Sequence, residues 1–267
     1  MNPFNRLLNR ISATASTRAA RREATRLQAR IASIPTDLNP DQVVDFVFSP
    51  DAEIIALWQI EEEFRALIGF VADRRPRTLL EIGTADGGSL FAHTRVAPAD
   101  ALIISIDLPD GPFGGGYPSW RIPLYKSFVR PGQHLELLRA DSHAPATAAR
   151  LAEILGGRRI DYAFVDGDHS YRGVKRDFDL CRRFAAESAV IAFHDIVTKP
   201  NSAYTAEADS STHEQWAVHD FWREIKHHFP HWEYIRDRAQ EGYGIGVLHL
   251  GDDPSLADEK QSIRRGL

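Results

Sequence analysis

Short apolar runs alternate with helical segments along most of this sequence, a pattern typical of βαβ units around a parallel sheet. The helical spacing is clearest where four apolar residues recur at i, i+3, i+4 and i+7, namely Phe64, Leu67, Ile68 and Val71. They predict a helix over residues 61–73. The apolar runs do not alternate strictly with polar residues, as expected for strands covered on both faces. We therefore predict an α/β fold with a Rossmann-like, mostly parallel sheet of seven strands and helices on both faces.

The order of these segments places the other elements. The predicted strands are residues 78–82, 101–106, 134–138, 160–165, 188–193, 232–236 and 244–250. The further predicted helices are residues 88–96, 145–155, 170–186 and 215–229. We expect three parts of the chain: a helical N-terminal arm and linker over 1–50, one domain over 51–250, and a loose tail over 251–267.

The N-terminal arm has a distinct charge pattern, because five arginines precede the first acid, Glu23. An acid-poor start of this kind also fits an organellar transit peptide. The helical pattern continues through Glu23 and Gln28 without a break, which favours a solvated helical arm used for self-association or at a membrane surface. We therefore expect a homo-oligomer built through the arm.

Composition excludes several classes of protein. With 32 Lys and Arg against 37 Asp and Glu, the net charge of −5 argues against nucleic-acid binding, which needs a clustered basic excess. Cys181 is the single cysteine, so an internal disulfide is excluded. No apolar run approaches the roughly 18 residues of a membrane span. We expect a soluble, cytoplasmic protein with a small-molecule partner.

A glycine-containing turn follows the first predicted strand and opens the next helix. It begins with the strand acid Glu81 and contains Gly83 and Gly87, whose missing side chains let a ligand approach the backbone. In doubly wound sheets, ligands bind at this edge. The G-x-G-x-x-G dinucleotide fingerprint is not present, because Ala85 stands where its second glycine would be.

Acids also follow the second and third predicted strands. Asp107 ends the second strand, and a carboxylate there can accept from two hydroxyl groups at once. Asp141 and Ser142 follow the third strand. For each residue, a turn or helix-capping role is the structural alternative.

The ends of the fourth and fifth predicted strands carry a cluster of acids and histidines: Asp166, Asp168, His169, His194 and Asp195. Such a cluster is costly to desolvate without a cation or a bound proton. Carboxylate ligands favour Mg²⁺ or Mn²⁺, and two histidines leave Zn²⁺ or Fe²⁺ open. Capping by Asp168 or Ser170, and a turn role for Asp195, are the structural alternatives.

The Glu-x-Gly-x-x-x-Gly turn resembles the first motif of class I S-adenosylmethionine (SAM) dependent methyltransferases. In that family the glycine loop wraps the methionine portion of SAM, the acid after strand two binds the ribose, and residues after strand three contact the adenine. The resemblance implies SAM as cofactor and a set of residues that bind it: Glu81, Gly83, Thr84, Gly87, Ser89, Asp107, Asp141, Ser142 and Asp166.

With the Asp-Gly-Asp-His-Ser-Tyr and His-Asp segments added, residues 80–196 look like the cephalosporin-hydroxylase-type proteins and the metal-dependent macrolide-sugar and aminocoumarin-sugar O-methyltransferases. That resemblance implies Asp166 as a Mg²⁺ ligand, Asp168 as general base, and His194 with Asp195 completing the metal site. His194 departs from the pattern, because those relatives carry an acid there. His169 or His194 is therefore a further candidate for the base.

The resemblance implies an O-methyltransferase that acts on a sugar, a glycoside or another polyhydroxylated small molecule, with help from a divalent metal. Two loops are expected to build the acceptor pocket, residues 111–120 with Phe113, Tyr117 and Trp120, and residues 204–219. Two alternatives stay open. Two histidines and a carboxylate fit a non-haem iron oxygenase, and a SAM-binding partner subunit without catalysis fits the same motifs.

Overall fold

A seven-stranded mixed sheet forms the centre of the protein, as seen in a computed structural model that describes residues 3–109, 111, 116–198 and 216–251, with side chains from residue 17 onward. The strands are β1 (Thr78–Ile82), β2 (Leu102–Asp107), β3 (His134–Arg139), β4 (Ile160–Val165), β5 (Ala185–His194), β6 (His231–Tyr234) and β7 (Ile245–His249). Their order in the sheet is β3-β2-β1-β4-β5-β7-β6. Strands β1 to β5 are parallel, and β7 is antiparallel to both of its neighbours. The predicted α/β fold is confirmed.

The described α-helices are α1 (Pro3–Ile31), α2 (Pro40–Val47), α3 (Glu61–Arg74), α4 (Gly88–Val96), α5 (Ile122–Lys126), α6 (Pro145–Leu155), α7 (Tyr171–Phe184) and α8 (Val218–Ile225). Short 3₁₀ turns occur at Pro50–Ile55, Ser119–Arg121 and Lys226–His228. Across the residues given above, no helix has both the length and the apolar character needed to cross a bilayer.

Most predicted elements are present, with shifted ends in several cases. Strands β1 and β4 and helices α4 and α6 have the predicted bounds. The predicted helix over 215–229 is wrong at both ends, because α8 begins at Val218 and its last turn tightens to a 3₁₀ turn. Helix α2 was not predicted, although Asn39 and Gln42 form a capping box at its start.

The sheet is covered on both faces, and each face has its own apolar core. One face packs against α1 to α5, with Phe64 and Phe91 among its fully buried side chains. The other packs against α6, α7 and α8, and includes Phe178 and Trp222. Burial on both faces explains why the strands read as apolar runs.

The end of the N-terminal arm belongs to this core. Ala24, Leu27 and Ile31 of α1 are buried in the first core, and the buried Arg95 donates to the Ile31 carbonyl oxygen at 3.3 Å. Helix α2 also buries three valines there. The end of α1 and helix α2 therefore pack onto the first face of the sheet.

Candidate active site

The carboxyl ends of the parallel strands meet at one edge of the sheet. The order of the strands reverses between β1 and β4, so the loops after these strands diverge and leave a cleft. Backbone bonds fix the edge, since Asp166 N donates to the Ile82 carbonyl at 2.8 Å and Gly83 N donates to the Ile106 carbonyl at 2.9 Å. Asp107, Asp166 and Gly83 line the same cleft. The convergence predicted from the strand pattern is present.

The loop after β1 alternates left-handed and ordinary backbone. Gly83, Ala85 and Gly87 have φ angles of 90°, 44° and 93°. A Cβ atom at Gly83 would lie 2.0 Å from the Asp166 carbonyl oxygen, so only glycine allows this close approach of the loop to the end of β4. The Tyr125 hydroxyl donates to the Ala85 carbonyl at 2.8 Å and holds the loop from α5.

Of the residues predicted to bind the cofactor, those that line the cleft are Gly83, Asp107, Asp141, Ser142 and Asp166. Those that lie behind it and are buried are Glu81, Thr84, Gly87 and Ser89. The hidden group supports the loop: the Thr84 and Ser105 hydroxyls, for example, are hydrogen-bonded to each other.

Asp107 stands at the end of β2 and faces the cleft. Its Oδ2 accepts from Tyr117 N at 2.9 Å, and its Oδ1 accepts from Thr84 N at 3.4 Å. Burial raises the pKa of this carboxyl. A carboxylate has about four acceptor positions, so the two amide bonds leave capacity for a ligand.

Asp141 and Ser142 form the far end of the cleft. Asp141 Oδ1 accepts from His143 N at 2.8 Å, which is the turn role considered above. The Ser142 hydroxyl donates to Oδ1 of Asp177 at 2.6 Å. Asp177 is fully buried in α7, and its hydrogen bond raises the pKa of His143. No sequence motif marks Asp177, because its spacing on α7 is that of an ordinary core position.

The acid and histidine cluster consists of two linked pairs. His194 Nδ1 lies 3.1 Å from Asp166 Oδ1, and His169 Nδ1 lies 2.9 Å from Asp195 Oδ2. His169 Nε2 is 3.8 Å from Asp166 Oδ1, so His169 lies between the two carboxylates. Asp195 has a φ of 62°. Left-handed backbone is a strained conformation for a non-glycine residue, and residues in it cluster at functional sites.

Asp168 takes part in the turn that starts α7. Its Oδ1 accepts from Ser170 N at 2.9 Å, and the Ser170 hydroxyl in turn accepts from Gly173 N at 3.0 Å. These are the bonds of the capping alternative. Asp168 also lines the cleft, so its predicted role as a base stays a prediction.

The residues predicted to hold a metal are not arranged as a metal site. Both oxygens of Asp166 accept hydrogen bonds from the protein: Oδ1 is bonded to His194 Nδ1, and Oδ2 accepts from Gln59 Nε2 at 2.7 Å. Over the described ranges, no three His, Cys, Asp or Glu side chains are grouped so that they could hold a metal ion. Neither Mg²⁺ nor the iron of the oxygenase alternative fits this geometry.

One aromatic residue of the predicted acceptor loops, Tyr117, lies in the core. Tyr117 is 2% exposed and packs against Tyr125 with ring centroids 4.8 Å apart, so it does not present a stacking surface. Phe113 and residues 204–215 lie outside the described residues. Sequence reasoning missed Gln59, which lies in a coil segment with no motif to mark it.

The sequence of the segment that forms this edge of the sheet is similar to that of known methyltransferases. A family model described as a methyltransferase domain matches residues 80–196, the segment that runs from within β1 to just beyond the end of β5. No curated protein sequence matches this chain. The prediction of a methyltransferase is confirmed for this segment, while the narrower resemblance to sugar O-methyltransferases stays a prediction.

Solved structures share the fold. The O-methyltransferase TomG from Streptomyces achromogenes, involved in tomaymycin synthesis and solved in complex with SAM, has a TM-score of 0.50 at 18% identity, over 84% of this chain and 96% of that one. An O-methyltransferase from Bacillus cereus in complex with SAH has a TM-score of 0.47 at 14% identity, over 86% and 90%. At such low identities the likeness to TomG shows the fold alone.

Proposed function

We propose that this protein is a SAM-dependent O-methyltransferase that methylates a hydroxyl group of a sugar, a glycoside or another polyhydroxylated small molecule. The observation that carries the proposal is the His169–Asp195 pair, which lies beside a cleft lined by the glycine loop and Asp107. One edge of the sheet thus combines a cleft suited to the methyl donor with a candidate proton acceptor.

The donor cleft has the chemistry that SAM requires. The backbone of the loop at Gly83 is open to close approach, and the amide groups that begin α4 follow directly. Asp107 provides a carboxylate for the two ribose hydroxyls. SAM would supply a methyl group bound to a positively charged sulfur. TomG, with the same fold, is a structure in complex with SAM.

His169 is the proposed general base. Asp195 accepts a hydrogen bond from Nδ1 of His169, so the proton of the neutral ring resides on Nδ1. Nε2 is therefore the nitrogen that takes up a proton. Nε2 accepts the proton of the acceptor hydroxyl as its oxygen bonds to the methyl carbon. SAM would supply that methyl carbon, and the electron pair of the carbon–sulfur bond would stay on sulfur. Asp195 and Asp166 stabilise the resulting imidazolium.

The proposal does not need a metal ion. A hydroxyl group is a poor nucleophile at neutral pH and must lose its proton to a metal-bound or side-chain base. The geometry offers a side-chain base in His169 but, within the described part of the chain, no set of three metal ligands.

Titration calorimetry and a methyl-transfer assay test the proposal. We expect the full chain to bind SAM and its demethylated product, and to transfer a labelled methyl group to at least one member of a panel of glycosides and polyols. A chain that binds neither SAM nor the product is not a SAM-dependent enzyme. Binding followed by transfer only to amines would overturn O-methylation.

A further inference from the structure

A second cavity adjoins the proposed catalytic cluster. It has a volume of about 480 Å³ and lies between residues 57–60 and the loop that follows β6, from which Arg236, Gln240, Glu241 and Tyr243 line it. This size is within the usual range for small-molecule sites. No motif identified in the sequence contributes a residue to it.

Two contacts connect this cavity to the catalytic cluster. Gln59 lines the cavity and donates through Nε2 to Asp166 Oδ2 at 2.7 Å. Tyr243 lies against His194, with ring centroids 6.1 Å apart. Asp166 also lines the donor cleft. A molecule in the second cavity would therefore be separated from the donor cleft by Gln59 and Asp166.

The cavity presents an exposed aromatic wall. Trp58 is 69% exposed, the largest exposed fraction of any large hydrophobic side chain among the described residues. An indole ring left in water is a surface that a ligand can cover favourably. Tyr243 is also partly exposed and has a φ of 59°, a left-handed conformation that needs support from its surroundings.

A buried carboxylate provides that support. Glu63, which is 1% exposed, accepts from Arg236 N at 3.0 Å, from Gln240 Nε2 at 2.7 Å and from Gly244 N at 2.9 Å. The loop from Arg236 to Tyr243 is therefore held in place from beneath and forms a fixed wall. Pre-formed walls of this kind reduce the entropy lost when a ligand binds.

Polar groups surround the aromatic wall. Gln59 Oε1 is buried and has no hydrogen-bond partner among the described residues. An acceptor left in this state is costly unless a ligand donates to it. Arg236 and Glu241 add a charged donor and a charged acceptor at the rim.

We propose that this second cavity is the acceptor site of the methyltransferase and takes a saturated ring that carries several hydroxyl groups. The inference rests on the proposed function. One face of the ring stacks on Trp58, and a ring hydroxyl donates to Gln59 Oε1. Since Gln59 is bonded to Asp166, that hydroxyl or its neighbour lies on the side of the ring nearest to His169. A flat aromatic acceptor would use the indole but leave the polar lining unsatisfied.

Binding measurements on the full chain, with SAH present, test this inference. The probes are methyl α-L-rhamnopyranoside and methyl β-D-glucopyranoside, with catechol as a flat aromatic control. We expect at least one glycoside to bind, Trp58→Ala to weaken its binding about tenfold, and Trp58→Phe to restore most of the loss. Arg236→Ala should weaken glycoside binding, and Arg238→Ala, an exposed arginine of the same loop outside the cavity lining, should not.

The outcomes separate the two proposals. SAH binding without glycoside binding, catechol binding in place of glycoside binding, or unchanged glycoside affinity in Trp58→Ala would each overturn the acceptor site and leave the donor site standing. Glycoside binding without SAH binding would overturn the proposed function, and the second cavity would then be a glycoside site without a methyl donor. Trp58 is mostly exposed, so its substitution should leave folding and SAH affinity unchanged.

Discussion

Glu81 and His93 form a buried pair beneath the glycine loop, with Glu81 Oε2 3.0 Å from His93 Nδ1. Each side chain is 2–3% exposed, and His93 Nε2 lies 3.1 Å from the Tyr162 hydroxyl. The chain of contacts connects α4 to β1 and β4. Burial raises the pKa of Glu81 well above its usual value and lowers the pKa of His93 to about 3.

This pair should make stability depend on pH. Unfolded, Glu81 titrates near pH 4.5 and His93 near pH 6.5, so each binds a proton below its own value. The raised pKa of Glu81 removes stability as the pH rises from 4.5, and the lowered pKa of His93 removes stability as the pH falls from 6.5 towards 3. Above pH 6.5 His93 is neutral in both states, so any further change of stability with pH comes from Glu81.

We therefore expect the stability that Glu81 contributes to decline as the pH rises from 4.5 through its raised pKa, and Glu81→Gln to abolish that decline. Urea unfolding between pH 5.5 and 8.5 measures the free energy of unfolding of the wild type and of Glu81→Gln. An equal decline in wild type and variant would assign the pH dependence to other groups.

His169→Gln should lower kcat by about 10²- to 10⁴-fold, because the base is lost, while the Kd for SAM stays unchanged. Asp195→Asn should also lower kcat, since its amide no longer fixes the ring in the required tautomer. Asp168→Asn is the matched control. Its Oδ1 can still accept from Ser170 N, so activity should remain within a few-fold of wild type. The reverse pattern, with Asp168→Asn inactive and His169→Gln active, would assign the base to Asp168.

Removal of divalent metal should leave activity unchanged. Both oxygens of Asp166 are bonded to protein side chains, His194 and Gln59, so the reaction is expected to depend on His169 as the base. Activity measured after dialysis against a chelator, and again after Mg²⁺ or Mn²⁺ is added back, checks this. Loss on dialysis with recovery on addition would show that the cluster rearranges around a metal.

Gly83→Ala should destabilise the fold by about 3 kcal/mol or more and weaken SAM binding, because its Cβ would overlap the Asp166 carbonyl at 2.0 Å. Gly157→Ala is the control, with a φ of 89° and no atom within 4 Å of its added Cβ. It should cost only about 1 kcal/mol, from backbone strain alone. Similar losses in the two variants would mean that strain dominates and that the close approach is unimportant.

The sequence predicted the strand ends well, because two-sided burial leaves a clear apolar run. The end of β1 at Ile82 and the end of β4 at Val165 are where the pattern put them, so the acids that follow were correctly placed at one edge. The parallel topology then brings the carboxyl ends of these strands together at one edge of the sheet.

The sequence could not predict what the side chains at this edge contact. Nothing in its spacing shows that Gln59 reaches Asp166, more than one hundred residues away in the chain, or that Trp58 is left exposed. Both lie in coil, where periodicity carries no information. The prediction for Tyr117 was wrong in the opposite direction to that for Trp58. An aromatic residue in a glycine-rich loop is expected at the surface, but Tyr117 lies in the core.

The burial of Leu27 and Ile31 bears on how shortened versions of this protein should be made. A version that starts at residue 33 or 51 would lose these side chains and the carbonyl that Arg95 binds. Apolar side chains on the first face of the sheet would then be exposed to water. Such a shortened protein would aggregate or unfold for reasons unrelated to catalysis. Shortened versions should therefore begin no later than Ala24.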